Sequence, residues 1–262
     1  MRCAPNSRPW VQRISGRCVL VTGAASGLGA GIAAGLVADG FTRVAITWHN
    51  TSPEATLERI RHAGADARAA QIDFLAPAAE IERRLAACVA EHGPFDTLVH
   101  GVGPLRLGRL ENVDDSNFSA MFDGNVRSAW LAAKALLPAM RLCGFGRIVF
   151  FGMNGSSQTL GAAGYGLHAA AKSALISLTR TLAREVADAG ITVNAIEPGD
   201  IREKALPRDR ARERRAGNPV GRQGSFEDIL DAVRFFVAAD RDFITGTVLP
   251  VNGGLGGAHE RT

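Results

Sequence analysis

The chain has 262 residues, 46% hydrophobic and 21% charged, enough to bury a core without disulfide or metal staples. Its net charge of +4 is modest, and the one dense basic stretch, Arg202–Arg215, is interrupted by Glu203, Asp209 and Glu213; this argues for a solvated helix or lid and against a nucleic-acid surface. No run approaches the roughly 20 apolar residues of a membrane-spanning helix, so no membrane partner is expected. Residues 1–15 predict an irregular extension without the apolar run of a signal peptide. Arg17–Thr22, apolar and ending in glycines, predicts a buried strand, and Gly27–Asp39 a helix stopped by Gly40. Arg43–Trp48 predicts a strand, Pro53–Ala63 a helix with Pro in its first turn after Ser52, Ala67–Ile72 a strand and Pro77–His92 a helix. Asp96–Gly101 predicts the fourth strand, Asp114–Leu142 one long helix, Arg147–Phe151 the fifth strand and Tyr165–Ala189 a helix closed by Gly190. Thr192–Ile196 predicts the sixth strand, Ser225–Ala238 a helix with Ser225 and Asp228 as a capping box, and Thr247–Val251 the last strand.

Strand and helix alternate throughout, with no repeat, linker or compositional break. The expectation is a single α/β domain over residues 1–262: a Rossmann-type, doubly wound parallel sheet of about seven strands with helices on both faces. Cys3, Cys18, Cys88 and Cys143 have neither the spacing of a zinc site nor that of a disulfide framework, so a reduced, cytoplasmic setting and no metal are expected.

Between the first strand and first helix stands Thr22-Gly23-Ala24-Ala25-Ser26-Gly27-Leu28-Gly29. Glycines there let the turn close and let backbone approach a pyrophosphate, while the helix N-terminus offers free N–H groups and positive dipole. The context, after a strand and before a helix, is what makes three glycines informative. A nicotinamide dinucleotide is the expected ligand.

The pattern TGxxxGxG resembles the fingerprint of the short-chain dehydrogenase/reductase superfamily, and the resemblance extends from residue 16 to about 255. It implies that Asp73 contacts adenine, that Asn125 has a structural and catalytic role, and that Pro198-Gly199, followed by Ile201, forms the nicotinamide-side turn. Pro219-Val220-Gly221-Arg222 and Asn252-Gly253-Gly254 resemble later signatures of the family. Where the family often has Asn-Asn-Ala-Gly, this chain reads His100-Gly101-Val102-Gly103. The expected cofactor set is therefore Gly23, Ser26, Gly27, Leu28, Gly29, Trp48, His49, Asn50, Asp73, Gly101, Lys172, Pro198, Gly199 and Ile201. NAD-specific folds place an acid about 20 residues beyond the glycines. None lies here between Gly40 and Glu54, and Ile46–Ser52 offers hydroxyls, an amide and an imidazole, which favours NADP over NAD.

The family's reductases use Ser, Tyr and Lys, with Tyr four residues before Lys. Lys172 is in place, but His168 stands at the Tyr position and Met153 aligns with the Ser, with Ser156 and Ser157 just beyond. Two chemistries stay open. In one, His168 donates the proton in carbonyl reduction, possible for an imidazole near neutral pH. In the other, Tyr165, the sole tyrosine, donates it, since Tyr165-x6-Lys172 has the spacing of enoyl-acyl-carrier-protein reductases. A third alternative is an NADP-binding protein with impaired catalysis. The segments VHGVGP, EPGDI and ITGTVLPVNGG are similar to the 3-oxoacyl-carrier-protein reductase branch. A small-molecule or carrier-bound acyl substrate is implied, lined by residues 103–112, 155–164 and 203–217. The resemblance also implies a homotetramer or dimer, paired through the helices expected at Asp114–Leu142 and Tyr165–Ala189. The arginines of 202–215 are expected on a mobile lid that meets an anionic carrier.

Overall fold

The computed structural model describes residues 16–256; the extension expected over residues 1–15, with Cys3, lies outside the described residues. Seven strands, β1 (Arg17–Thr22), β2 (Phe41–Trp48), β3 (Asp66–Gln71), β4 (Thr97–His100), β5 (Gly146–Phe151), β6 (Ile191–Pro198) and β7 (Val248–Val251), form one sheet in the order β3-β2-β1-β4-β5-β6-β7. Every strand pairing is parallel. The winding reverses between β1 and β4, so a crevice opens beyond their carboxyl ends, where ligands of such sheets bind.

Successive residues of each strand face opposite layers. Leu20, Leu98, Ile148 and Phe150 pack with α3 (Ala78–His92), α5 (Ser128–Cys143) and α6 (Gly166–Val186). Val19, Val21, Val99 and Val149 pack on the other side with α1 (Gly27–Gly35), α2 (Glu54–His62) and α8 (Phe226–Val237). The central strands are buried on both faces, which is why they read as unbroken apolar runs.

Three local departures have identifiable causes. The long helix expected at Asp114–Leu142 is α4 (Asp115–Phe122), a π-helical turn over Asp123–Arg127, and α5. The amide of Asn125, inside that turn, donates to the Met121 carbonyl at 2.9 Å and so takes up a backbone acceptor of the preceding helix. The helix expected to run to Asp39 tightens into a 3₁₀ turn at Leu36–Asp39 before Gly40, whose φ is +84°. Pro53 precedes α2 rather than sitting within it, its carbonyl accepting from the amides of Thr56 and Leu57. The capping box of α8 forms as expected: Ser225 Oγ accepts from Asp228 N–H, and the Asp228 carboxylate accepts from Ser225 N–H at 2.8 Å.

Cys18, Cys88 and Cys143 are free thiols; burial pushes Cys18 up to about 11 and Cys88 up to about 12, which leaves both unreactive. Among the described residues no helix is long and apolar enough to cross a membrane, and no group of three or more His, Cys, Asp or Glu could hold a metal ion.

Candidate active site

The turn after β1 is shaped to admit a ligand. Gly23 and Gly27 hold φ of +64° and +60°, and a Cβ on Gly29 would fall 2.8 Å from the Gly23 carbonyl oxygen. Ser26 is the N-cap of α1 by position, but its side chain makes no capping bond, so the first amides of the helix, around Leu28 and Gly29, remain free for an anion. Thr47 braces the turn from β2. Its Oγ1 accepts from Gly23 N–H and its carbonyl from Ala24 N–H, both at 3.0 Å. The sequence places Thr47 in a polar stretch; this bracing role shows only in three dimensions.

Beside the turn lies a cavity of about 320 Å³ that brings together Gly23, Trp48, His49, Asp73 and Gly101 of the expected cofactor set. His49 Nε2 stands 3.6 Å from the Asp73 carboxylate, whose other oxygen accepts from Leu75 N–H at 2.9 Å. Asn50 is exposed next to His49. Across the sheet, Gly199 N–H donates to the Val251 carbonyl at 3.0 Å, and a Cβ on Gly199 would fall 2.5 Å from Asn252 Cα. The Pro198-Gly199 turn and the Asn252-Gly253-Gly254 segment are thus one packed unit, with half-buried Ile201 just beyond.

Lys172, on α6, is 5% exposed, and its Nζ donates to the Phe151 carbonyl at the end of β5 at 2.6 Å. Asn125 is fully buried; its Nδ2 donates to the carbonyls of Pro104 and Met121. Its Oδ1 is buried with no partner. The two side chains meet at Gly103, where a Cβ would lie 2.9 Å from Asn125 Oδ1 and 3.0 Å from Lys172 Nζ. One turn earlier on α6, His168 places Nδ1 3.2 Å from the same Pro104 carbonyl that Asn125 uses. A carbonyl only accepts, so Nδ1 carries the proton and the Nε2 of the neutral ring is a bare acceptor.

Electrostatics reinforce that state. Burial, then the Lys172 charge, pushes the His168 imidazole down to about 4, against the opposing bond to Pro104. Burial, then the Lys204 charge, pushes Lys172 down to about 7. Both effects favour the uncharged imidazole near neutral pH and bring Lys172 down toward that range. Tyr165 lies outside the body of α6, at its N-cap with φ −109° and ψ 7°, half-buried. The structure groups Lys172, His168 and Asn125 around Gly103-Pro104, while Tyr165 stands at the N-cap of α6, seven residues before Lys172.

Two further buried networks support this site. Ser128 Oγ–H donates to the Gly124 carbonyl at 2.7 Å, so its oxygen accepts from His100 Nε2–H at 3.0 Å. His100 Nδ1 then accepts from the Thr22 hydroxyl at 2.9 Å, and Thr22 Oγ1 accepts from Gly101 N–H at 3.1 Å. His100 therefore ties the glycine-rich turn to the π-helical turn that carries Asn125; burial, then Lys172, pushes its pKa down to about 3. The second network spends a hydroxyl. Ser156 Oγ accepts from Met153 N–H at 3.2 Å and donates to buried Glu197 at 2.8 Å, and Ser157 N–H donates to the same carboxylate. Ser156 is thus occupied with structure, and Met153 keeps the place aligned with the family's Ser.

The arginine-rich segment expected as a lid is laced by ion pairs within the chain. It contains one short helix, α7 (Arg208–Arg212). Arg202 pairs with Asp200, Arg210 with Glu213, Arg212 with Asp209 and Arg214 with Glu203, while Arg208 reaches Asp231 and Asp228 of α8. Each of these guanidinium groups has a carboxylate partner within the chain.

The family described as Enoyl-(Acyl carrier protein) reductase matches residues 23–256. The chain is 36% identical over 244 residues to the 3-oxoacyl-[acyl-carrier-protein] reductase FabG of Salmonella typhimurium, covering 92% of this chain and 97% of that protein. A blue fluorescent protein from a metagenomic library, solved in complex with NADPH, superposes with a TM-score of 0.80 at 31% identity, covering 93% of this chain and 99% of that one. Acetoin dehydrogenase from Enterobacter cloacae superposes with a TM-score of 0.81 at 26% identity, covering 90% and 94%. With this sheet order, this glycine turn and these relatives, the chain belongs to the short-chain dehydrogenase/reductase family of oxidoreductases.

Proposed function

We propose that the chain is an NADP-dependent reductase of a carbonyl, with 3-oxoacyl thioesters as its substrate class and Lys172 and His168 as its proton-handling pair. The observation that carries this reading is the convergence of Lys172 Nζ and Asn125 Oδ1 on Gly103, with His168 anchored on the adjoining Pro104 carbonyl.

Gly23, Ser26, Gly27, Leu28 and Gly29 would hold the pyrophosphate; Trp48, His49, Asn50, Asp73 and Gly101 the adenosine half; and Lys172, Pro198, Gly199 and Ile201 the nicotinamide half. The uncapped start of α1 and the space kept by Gly29 fit such a ligand. When bound, the nicotinamide supplies the hydride. Lys172 holds the proton to be delivered, and the bare Nε2 of His168 relays it to the substrate oxygen. In the reverse direction the alcohol proton passes to His168 Nε2 and on to Lys172. Asn125 Oδ1, buried without a partner, is the acceptor left open beside Lys172. Support for NADP comes from the absence of an acid between Gly40 and Glu54 and from the NADPH-bound relative.

Leu105, Leu107 and Leu110 are exposed on the segment after Gly103, and Gly108 N–H donates to the Gly164 carbonyl, joining two of the expected substrate segments. That apolar rim suits an acyl chain, and relatives named as 3-oxoacyl-carrier-protein reductases support the same class. A second reading, enoyl reduction through Tyr165, is favoured by the matched family's description and by the Tyr165-x6-Lys172 spacing. Trp130 and the stacked Phe118–Phe122 pair, with Phe118 and Trp130 about half exposed on α4 and α5, support pairing of copies into a dimer or tetramer. NADPH oxidation measured in parallel with a 3-oxoacyl and a 2-enoyl thioester tests the proposal: turnover of the first supports it, and turnover of the second alone replaces it.

A further inference from the structure

Glu197 is a buried carboxylate that the chemistry of Lys172 and His168 does not use. It lies near the end of β6, directly before Pro198-Gly199, and is 2% exposed. Its donors among the described residues are neutral, a hydroxyl and an amide. A carboxylate taken out of water without a cation is costly, and an apolar side chain would pack there at lower cost. Such a departure from the core pattern marks a residue that does more than fill space.

Both donors belong to the loop between β5 and α6. Ser156 Oγ–H and Ser157 N–H converge on one oxygen, Oε1, and Ser156 Oγ in turn accepts from Met153 N–H. The β5–β6 ladder ends where Gly152 N–H donates to the Ile196 carbonyl at 2.8 Å. The next donor on that side would be residue 198, a proline with no N–H, and the Glu197 side chain makes the connection instead. A second tie runs beside the first. Asn252 Nδ2 donates to Asn154 Oδ1 at 2.6 Å, and Asn252 is the residue against which Gly199 packs. The loop is also held to α6, where Ser173, next to Lys172, donates its hydroxyl to the Ser156 carbonyl at 3.0 Å.

We infer that Glu197 is a positioning residue that couples the nicotinamide-side turn to the substrate loop. The inference rests on the cofactor and substrate reading given under Proposed function. On this account Glu197 touches neither ligand; it acts through Ser156 and Ser157 on Met153, at the family's Ser position. A dinucleotide seated on Pro198-Gly199 thereby fixes Glu197, the loop and Met153 together, and the acyl substrate meets a wall already in place. The need for such a brace follows from Met153 itself. A thioether donates no hydrogen bond to a substrate oxygen, so this wall serves by shape, and shape requires a fixed backbone.

The test uses the full chain, amide hydrogen exchange over residues 153–160 with and without NADPH, and steady-state kinetics. NADPH is expected to slow exchange there in wild type and to lose that effect in Glu197→Ala, while its slowing over residues 23–29 stays the same in both. KM for a 3-oxoacyl thioester should rise about tenfold in Glu197→Ala, with kcat changed less than about threefold, as lost ground-state positioning requires. Glu197→Gln keeps one oxygen for both donors, so it should restore the exchange effect and KM. Ser156→Ala removes one donor and leaves little space behind; it should show the same losses in smaller measure, and it decides the question if Glu197→Ala does not fold. Wild-type KM and wild-type slowing in the folded variants overturn the coupling. Losses in Glu197→Gln equal to those in Glu197→Ala overturn it too, since the shared acceptor would then not be what matters. Loss of slowing over residues 23–29 in Glu197→Ala also overturns it, because the variant would be failing to bind NADPH. A wild type slowed at both segments that turns over no 3-oxoacyl thioester overturns the substrate reading, and the exchange comparison still decides the coupling. One in which NADPH slows exchange nowhere overturns the cofactor reading and the coupling with it.

Discussion

Nδ1 of His168 lies 3.2 Å from the carbonyl oxygen of Pro104, and that contact decides which nitrogen of the ring is free. With its one proton held on Nδ1, the neutral ring turns a lone pair, not a donor, toward the cleft. A residue at the family's tyrosine position that cannot itself hold a spare proton needs a neighbour that can, and Lys172 one turn away is lowered to about 7.

The first prediction separates the two candidate residues. His168→Phe is expected to cut reduction of a 3-oxoacyl thioester by roughly 10²–10⁴-fold, the usual range for removing an acid–base group. Tyr165→Phe should change it by less than about threefold, since Tyr165 stands at the N-cap of α6. Steady-state kinetics on both variants check this. The reverse ranking would return the role to Tyr165.

Gly103 should tolerate no side chain. In Gly103→Ala the new methyl would sit 2.9 Å from Asn125 Oδ1 and 3.0 Å from Lys172 Nζ, displacing both. Turnover is expected to fall on the order of 10²-fold, as small misplacements of catalytic groups do, with the far-ultraviolet circular dichroism unchanged. Wild-type turnover in this variant would show that the two side chains need not meet there.

His100 carries a stability prediction. Its pKa, pushed down to about 3, lies below that of an unfolded histidine near 6.5. Between those values the unfolded chain binds a proton that the folded chain refuses, so stability falls as pH falls from about 6.5 toward 3. The slope reaches up to about 1.4 kcal/mol per pH unit for one such group. Urea unfolding at pH 7 and pH 5 should show a smaller drop for His100→Asn than for wild type, although the variant starts less stable. An equal drop in both would locate the acid sensitivity elsewhere.

Cofactor choice gives a fourth prediction. NADPH is expected to bind more tightly than NADH, because no acid follows Gly40 before Glu54. Trp48→Asp should shift the preference toward NADH, as read by titration with both. Equal or tighter binding of NADH to the wild type would contradict the assignment.

The sheet was legible from residue pattern because its strands are apolar runs closed by glycine or polar turns, and the glycine-rich turn was legible because position and composition coincide there. The tautomer of His168 was not, because it depends on a carbonyl 64 residues away in sequence. His100 read as a departure from a motif; only its contacts with Thr22 and Ser128 reveal it as a tie between two turns. Ser156 stands just beyond the position aligned with the family's Ser, and its hydroxyl is spent on Glu197, 41 residues away. The π-helical turn at Asn125 carries no periodicity signal, since one extra residue in a helix disturbs the pattern less than ordinary variation does. In each case the missing information was a long-range hydrogen bond or a single inserted residue.

The most direct test of the Lys172–His168 pair is the pH dependence of single-turnover reduction of a 3-oxoacyl thioester by the NADPH-loaded wild type. Protonated Lys172 is the proton source, so the rate is predicted to hold below about pH 7 and to fall as pH rises through it, with the titration absent in Lys172→Met. A rate that stays level through pH 7 and falls only near 10, where an ordinary tyrosine titrates, would contradict the account.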